Sequence, residues 1–190
     1  MSDFPNWFVA GGAQEYFEKH LKRFQGLEVN FLQIGAFTGD ASIWLLENIL
    51  QNKNSKLVDV DTWQGSNEQS HAEFNWHEVE DAYDRKVNDF SSQVIKRKVT
   101  SDEFFSDNSQ LFDFIYIDGS HKASDVLQDG LNAYKFLKLG GLVAFDDYLW
   151  SKHQGMAMDP KPAIDACRLC FSDRWLMVDQ GLQVWFKSIS

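Results

Sequence analysis

The stretch Val29–Ala41, VNFLQIGAFTGDA, constrains the fold more than any other. Val29, Phe31, Leu32 and Ile34 form a short, nearly continuous apolar run, as a strand buried on both faces of a parallel sheet does. Gly35 and Gly39 then bracket a tight turn, and Ala41, Ile43, Trp44, Leu45, Leu46, Ile49 and Leu50 continue at helical spacing. Strand, glycine turn and helix in that order let backbone approach a ligand closely. The following helix start offers free N–H groups. Nucleotide-like cofactors bind at such strand ends in α/β sheets.

The spacing narrows the ligand. A dinucleotide fingerprint reads G-x-G-x-x-G, whereas this turn reads G-x-x-x-G with Ala36 inside it, and no G-K-[ST] phosphate loop is present. The turn Gly35-Ala36-Phe37-Thr38-Gly39-Asp40-Ala41-Ser42 resembles the first motif of the catechol and caffeoyl-CoA O-methyltransferase group, within the class I S-adenosylmethionine (SAM) methyltransferases. Gln33 stands where many relatives carry Glu; its amide can hold polar groups in the turn but adds no charge near the methionine ammonium.

Further along, Lys56–Val60 reads as the second strand, running into Asp61-Thr62-Trp63-Gln64-Gly65-Ser66. An acid at that strand end suits a ribose diol; Asp61 is the first choice and Asp59 the alternative. The D-T-W-x-G-S segment also resembles the macrolide-sugar O-methyltransferase branch. Gln93–Val99 reads as the third strand, followed by Ser101-Asp102, where the resemblance implies polar contacts to adenine and Ser101 also suits a helix N-cap. Leu111–Ile117 is the fourth strand, ending in Asp118-Gly119-Ser120-His121, and Leu142–Phe145 the fifth, ending in Asp146-Asp147-Tyr148.

The remaining elements complete an α/β pattern. Residues 1–12 read as an irregular aromatic lead-in, 13–24 as an amphipathic helix, and 77–90 as a polar helix with one buried stripe. The 122–138 helix is expected to stop at Gly140-Gly141. A helix over 160–171 and a hairpin, 175–178 and 182–186 around Asp179-Gln180-Gly181, close the chain. The polar stretch 65–76 is long enough to be a lid. Alternation predicts a Rossmann-like sheet with helices on both faces. The resemblance implies the seven-stranded methyltransferase form, mostly parallel with the last strand antiparallel, as a single SAM-binding domain over 1–190.

The two strand ends at 118–121 and 146–148 carry the chemistry. Their carboxyl ends face the cofactor crevice, so Asp118, Asp146 and Asp147 are expected to converge. Clustered carboxylates resist ionisation without a cation, and hard oxygen ligands suit Mg²⁺, Mn²⁺ or Ca²⁺ better than zinc. In the catechol-type relatives the matching residues, two Asp and an Asn, hold Mg²⁺ beside the acceptor hydroxyl. His121 is the first candidate for the base and Asp118 the next. A salt-bridge cluster with Lys122 or Lys152 is the structural alternative.

Taken together, the resemblance implies a SAM-dependent methyltransferase, metal-assisted and acting on a small hydroxylated acceptor. Its cofactor contacts fall on Gln33, Gly35, Ala36, Phe37, Thr38, Gly39, Asp61, Thr62, Trp63, Ser101, Asp102, Asp118, Gly119 and His121. Trp63, Trp76, Tyr148, Trp150, Met156 and Met158 are expected to shape the acceptor site. A SAM-binding protein without catalysis and a nicotinamide-dependent oxidoreductase are the competing readings. A net charge of −10 opposes a nucleic-acid surface. No apolar run suits a membrane span and the N-terminus is no signal peptide, which suggests a cytoplasmic protein; a homodimer stays open. Cys167 and Cys170 form C-x-x-C inside a helical stretch, where two thiols at a buried face are expected rather than a redox pair or a zinc site.

Overall fold

The computed structural model describes residues 4–65, 72–150 and 155–190. Helices α1 (Trp7–Ala10) and α2 (Ala13–Leu21) precede strand β1 (Asn30–Ile34) and helix α3 (Asp40–Asn48). Then follow β2 (Lys56–Val60), α4 (Trp76–Val87), β3 (Val94–Arg97), α5 (Ser101–Asp107) and β4 (Phe112–Ile117). Helix α6 (Ala123–Phe136), β5 (Leu137–Phe145), α7 (Lys161–Cys170), β6 (Trp175–Gln180) and β7 (Val184–Ser188) complete the chain.

All seven strands form one sheet in the order β3-β2-β1-β4-β5-β7-β6. β3, β2, β1, β4 and β5 pair in parallel, and β7 runs antiparallel to both β5 and β6. This is the expected methyltransferase sheet. The strand order reverses between β1 and β4, and a crevice opens at such a switch point beyond the carboxyl ends of the strands.

The period of two along each strand sorts the core into two layers. Leu32, Ile34, Val58, Ile115, Ile117, Val143, Phe145 and Phe186 face Phe104 and Phe105 of α5, Val126 of α6 and Ile164 of α7. Phe31, Leu57, Phe114, Tyr116, Ala144 and Trp185 face Phe17 of α2 and Leu45 of α3. The central strands are thus covered on both sides, which is why they read as apolar runs, whereas the edge strands β3 and β6 stay largely exposed.

Several boundaries differ from expectation. The lead-in is not irregular throughout: Asn6 caps α1 by accepting from the Val9 N–H. Asn88–Phe90 is a 3₁₀ turn beyond α4, and the hairpin reverses at 181–183 rather than 179–181. Helix α6 ends at Phe136 and passes straight into β5, so Gly140 and Gly141 lie inside a strand. Gly140 takes φ +78° where the β4–β5 register shifts, and a Cβ on Gly141 would lie 2.9 Å from two backbone oxygens. Those glycines therefore serve a bulge, not a helix stop. Cys167 is buried and Cys170 exposed on α7, and both thiols are free. Among the described residues no helix is long and apolar enough to cross a membrane.

Candidate functional site

The turn after β1 is braced from below. Gly35 sits at φ +86°, and a Cβ there would fall 1.9 Å from the Asp118 carbonyl oxygen. Only glycine lets the ends of β1 and β4 approach so closely. Asp61 Oδ2 accepts from the backbone N–H groups of Ala36 (2.8 Å) and Phe37 (3.0 Å), and its Oδ1 accepts from that of Trp63 (2.7 Å). The Trp63 indole N–H donates to the Phe37 carbonyl (2.9 Å), and the Gln33 amide donates to the Gly35 carbonyl (2.8 Å). A glutamate at 33 could not make that last bond as a carboxylate, since it has no donor.

A ribose diol asks Asp61 to accept from two hydroxyls. Three backbone donors already occupy it, so of a carboxylate's roughly four acceptor directions about one remains for a ligand. Asp61 lines the cavity. Asp59 lies underneath, fully buried, and accepts from the Tyr83 hydroxyl (2.8 Å). Burial pushes the Asp59 carboxyl up to about 6.

A cavity of about 1330 Å³ opens along the strand ends. Of the cofactor residues expected from sequence, Gln33, Gly35, Ala36, Phe37, Asp61, Thr62, Ser101, Asp102, Asp118, Gly119 and His121 line it. Thr38, Gly39 and Trp63 do not; they form its foundation. The Thr38 hydroxyl donates to Asp40 (2.7 Å), Gly39 rests on the Tyr83 ring, and buried Trp63 packs on Tyr83 with the Lys96 ammonium 4.6 Å from its centroid. Of the expected acceptor-shaping residues, Trp76, Trp150 and Met158 line the cavity, while Tyr148 is buried away from it. Trp7 of α1 stacks on Phe37 (4.5 Å between centroids) and adds a wall that the sequence did not suggest. Part of the expected lid, residues 66–71, and Lys152 lie outside the described residues. Thr100, not Ser101, caps α5, in a reciprocal box with Glu103.

The acids at the ends of β4 and β5 do meet. The Tyr116 hydroxyl lies against Asp118 Oδ2 (3.1 Å) and, closer still, against Asp146 Oδ2. Gln183 donates to Asp146 Oδ2 (3.1 Å) while its own oxygen accepts from the Trp185 indole (2.8 Å). Asp147, at φ +58°, turns Oδ2 to His121 Nε2 at 2.6 Å, and the His121 ring stacks on Trp150 (4.0 Å). A phenol has one proton and cannot serve two carboxylates at once. Burial, then the charges of Asp146 and Asp147, hold the Asp118 carboxyl well above the usual range. Burial and Asp147 push Asp146 to about 6. The salt-bridge alternative is weakened, because Lys122 pairs with Asp125 (3.3 Å). As arranged, among the described residues no group of three or more His, Cys, Asp or Glu side chains forms a metal cluster.

With this geometry in hand, a family model described as a methyltransferase domain matches residues 32–148. The chain belongs to the methyltransferase domain family. That segment runs from β1 to the end of the acid cluster, and so holds both halves of the cavity. The family assignment removes the oxidoreductase reading. A protein of Acanthamoeba polyphaga mimivirus, "Uncharacterized protein R132", is 26% identical over 66% of this chain and 54% of its own. The chain thus spans about half the length of that relative.

Solved structures of low identity share the methyltransferase fold. A putative rRNA-methylase from Clostridium thermocellum has a TM-score of 0.70 at 12% identity, covering 95% of this chain and 96% of that one. The O-methyltransferase TomG from Streptomyces achromogenes, solved with SAM, has 0.68 at 15%, covering 99% and 84%. The MycE methyltransferase of mycinamycin biosynthesis, solved with Mg and S-adenosylhomocysteine (SAH), has 0.62 at 12%, covering 99% and 51%.

Besides Trp7, the sequence reading missed Tyr116, Gln183, Thr100 and Asp129 at the candidate site. Asp129 alone left a signal. It interrupts the buried stripe Val126, Gly130, Ala133 of α6, and a carboxyl on an apolar stripe calls for a reason.

Proposed function

We propose that the chain transfers the sulfonium methyl of SAM to a hydroxyl of a small molecule, with a divalent cation assisting. One observation carries the reading: a single cavity contains both the braced glycine turn of β1 and the acid cluster of β4 and β5. The turn offers backbone and one Asp61 direction to the cofactor. The donor set of the cluster fits a hard cation, because three carboxylates face too few protons there. Asp118, Asp146 and Asp147 would hold it. When bound, such a cation lowers the acceptor hydroxyl's pKa and orients it.

The chain's own groups do the rest. His121 accepts the hydroxyl proton, and the Asp147 carboxylate 2.6 Å away stabilises the imidazolium that forms. The hydroxyl oxygen bonds to the methyl carbon as the carbon–sulfur bond breaks, leaving a neutral thioether. Trp7, Trp76 and Trp150 wall the site and exclude water. The complexes of TomG with SAM and of MycE with Mg and SAH support the cofactor and the cation. The charge of −10 and the acids lining the cavity favour a small neutral or cationic acceptor over nucleic acid, despite the name of the Clostridium thermocellum relative.

The test is calorimetry with SAH, followed by methyl transfer from deuterated SAM to panels of catechols, sugars and amines, each with Mg²⁺ or EDTA. SAH binding, with EDTA-sensitive turnover on hydroxyls, is expected. Binding without turnover on any acceptor would favour a SAM-binding protein without catalysis. Turnover indifferent to EDTA would remove the cation and leave His121 to act unaided.

A further inference from the structure

Asp129 lies on α6 within the wall of the cavity, far along the chain from the turn and outside the acid cluster. It is 3% exposed, and its Oδ1 has no hydrogen-bond partner. A buried carboxyl oxygen left unpaired is costly, and it persists where a ligand supplies the donor.

Sheet order says which part of a cofactor reaches it. The reacting end lies at β4 and β5, where the acids are. Moving across the sheet, β1 gives the glycine turn and β2 gives Asp61. The next position is the end of β3 and the start of α5. With the sulfonium at the acid cluster and the ribose near Asp61, the base extends to that last position. There Val60 and Val99 line the cavity, together with Ser101, Asp102 and Asp129. Apolar sides suit a flat ring. The carboxyls at its edge are acceptors: the Ser101 hydroxyl already serves the Asp129 carboxyl, and Asp102 and Asp125 press on it by charge repulsion. Such an edge suits a ring that presents a donor.

We propose that Asp129 reads the base of the cofactor: Oδ1 accepts a hydrogen bond from the exocyclic amino group of adenine. This rests on the SAM reading given above. A base with a keto oxygen at that position would set acceptor against acceptor, so the site rejects it. Burial pushes the Asp129 carboxyl up to about 7, and a donor on the ligand would favour its ionised form. An asparagine keeps a carbonyl acceptor and should keep the discrimination; an alanine should lose it.

The experiment is calorimetry of the full chain with SAH and with S-inosylhomocysteine, which carries a keto oxygen for the amino group and a proton on the neighbouring ring nitrogen N1. Wild type is expected to prefer SAH by about tenfold or more. Asp129→Ala is expected to bring that ratio below about threefold, mainly by weakening SAH, and Asp129→Asn to preserve most of it. Wild type that binds both ligands equally overturns the proposal without any variant, so a variant that fails to fold does not obscure the result. An unchanged ratio in folded Asp129→Ala also overturns it, because loss shared by both ligands marks a merely structural carboxyl. Wild type that binds neither ligand overturns the SAM reading and the proposal with it.

Discussion

The turn after β1 and the cluster at the ends of β4 and β5 share one cavity but differ in electrostatic condition. In the turn, donors and acceptors match: Asp61 takes three backbone N–H groups, Gln33 and Trp63 close the remaining carbonyls, and Tyr83 fills the space beneath Gly39. In the cluster, acceptors outnumber donors, and Asp118 and Asp146 compete for one phenol. The first region is finished before a ligand arrives. The second carries more negative charge than its own donors neutralise. A pre-formed turn spares the ordering entropy of cofactor binding. An under-neutralised cluster instead stores a preference for a cation, or for a proton where no cation is present.

That contrast breaks most severely at Gly35. Gly35→Ala places a methyl group against the Asp118 backbone at φ +86°, so the two regions can no longer meet. Overpacking and left-handed strain together predict a loss of about 2–5 kcal/mol of stability and no measurable SAH binding. Chemical denaturation and calorimetry check both. A variant with native stability would show that the close approach of β1 and β4 is dispensable.

Asp61 comes next. Asp61→Ala leaves three backbone N–H groups of the turn without their acceptor. A hydrogen bond to a charged group contributes about 1.5–3 kcal/mol, so SAH affinity should fall at least about tenfold, with some loss of stability. Asp59→Ala should spare affinity more, since Asp59 does not line the cavity. The reverse order in calorimetry would mean that the turn is held through Tyr83 and Asp59 rather than through Asp61.

Both regions were legible in the sequence to different depths. Gly35, Asp61 and the acids stand at strand ends, and a strand end is marked by the switch from an apolar run to polar residues. Whether a side chain lines the cavity or supports it depends on backbone dihedrals that no spacing reveals. Trp63 at φ +47° turns inward and is 2% exposed, although its neighbour Thr62 lines the cavity. Gln183 comes to Asp146 only because β7 returns beside β5, a pairing across 37 residues that local pattern cannot carry. Gly140-Gly141 misled because a glycine pair after a helical stripe commonly ends a helix, whereas here the strand bulge uses it.

The cluster should respond with the opposite sign from the turn. Asp118→Asn removes a buried acid that its neighbours disfavour. In EDTA at neutral pH it is expected to raise stability by about 1–2 kcal/mol, and to abolish any stabilisation by Mg²⁺. Thermal unfolding of wild type and variant, with Mg²⁺ and with EDTA, measures both effects. If wild type ignores Mg²⁺ and Asp118→Asn is destabilising, the cluster is a paired structural network, and the contrast between the two regions disappears.

The smallest effect lies where the well-paired region has its own exception. Asp59 accepts from Tyr83, yet its Oδ1 is buried without a partner, and burial lifts the carboxyl from 3.8 to about 6. Between those values the folded chain holds a proton that the unfolded chain has released. Its contribution to stability is therefore complete below the unfolded value and is lost as pH rises through about 6. Moving from pH 7 to pH 5.5 should recover about 1 kcal/mol through Asp59 alone. Asp146 and Asp129, also raised, add slope of the same sign. Asp59→Asn keeps an oxygen for the Tyr83 hydroxyl but cannot titrate, so its stability should change by about 1 kcal/mol less across that interval. Denaturation curves at the two pH values, for wild type and Asp59→Asn in the presence of Mg²⁺, isolate the term, since a cation bound at the cluster would silence Asp146. Parallel pH profiles in the two proteins would mean that Asp59 stays ionised in its pocket, and that the floor beneath the turn is as fully matched as the turn itself.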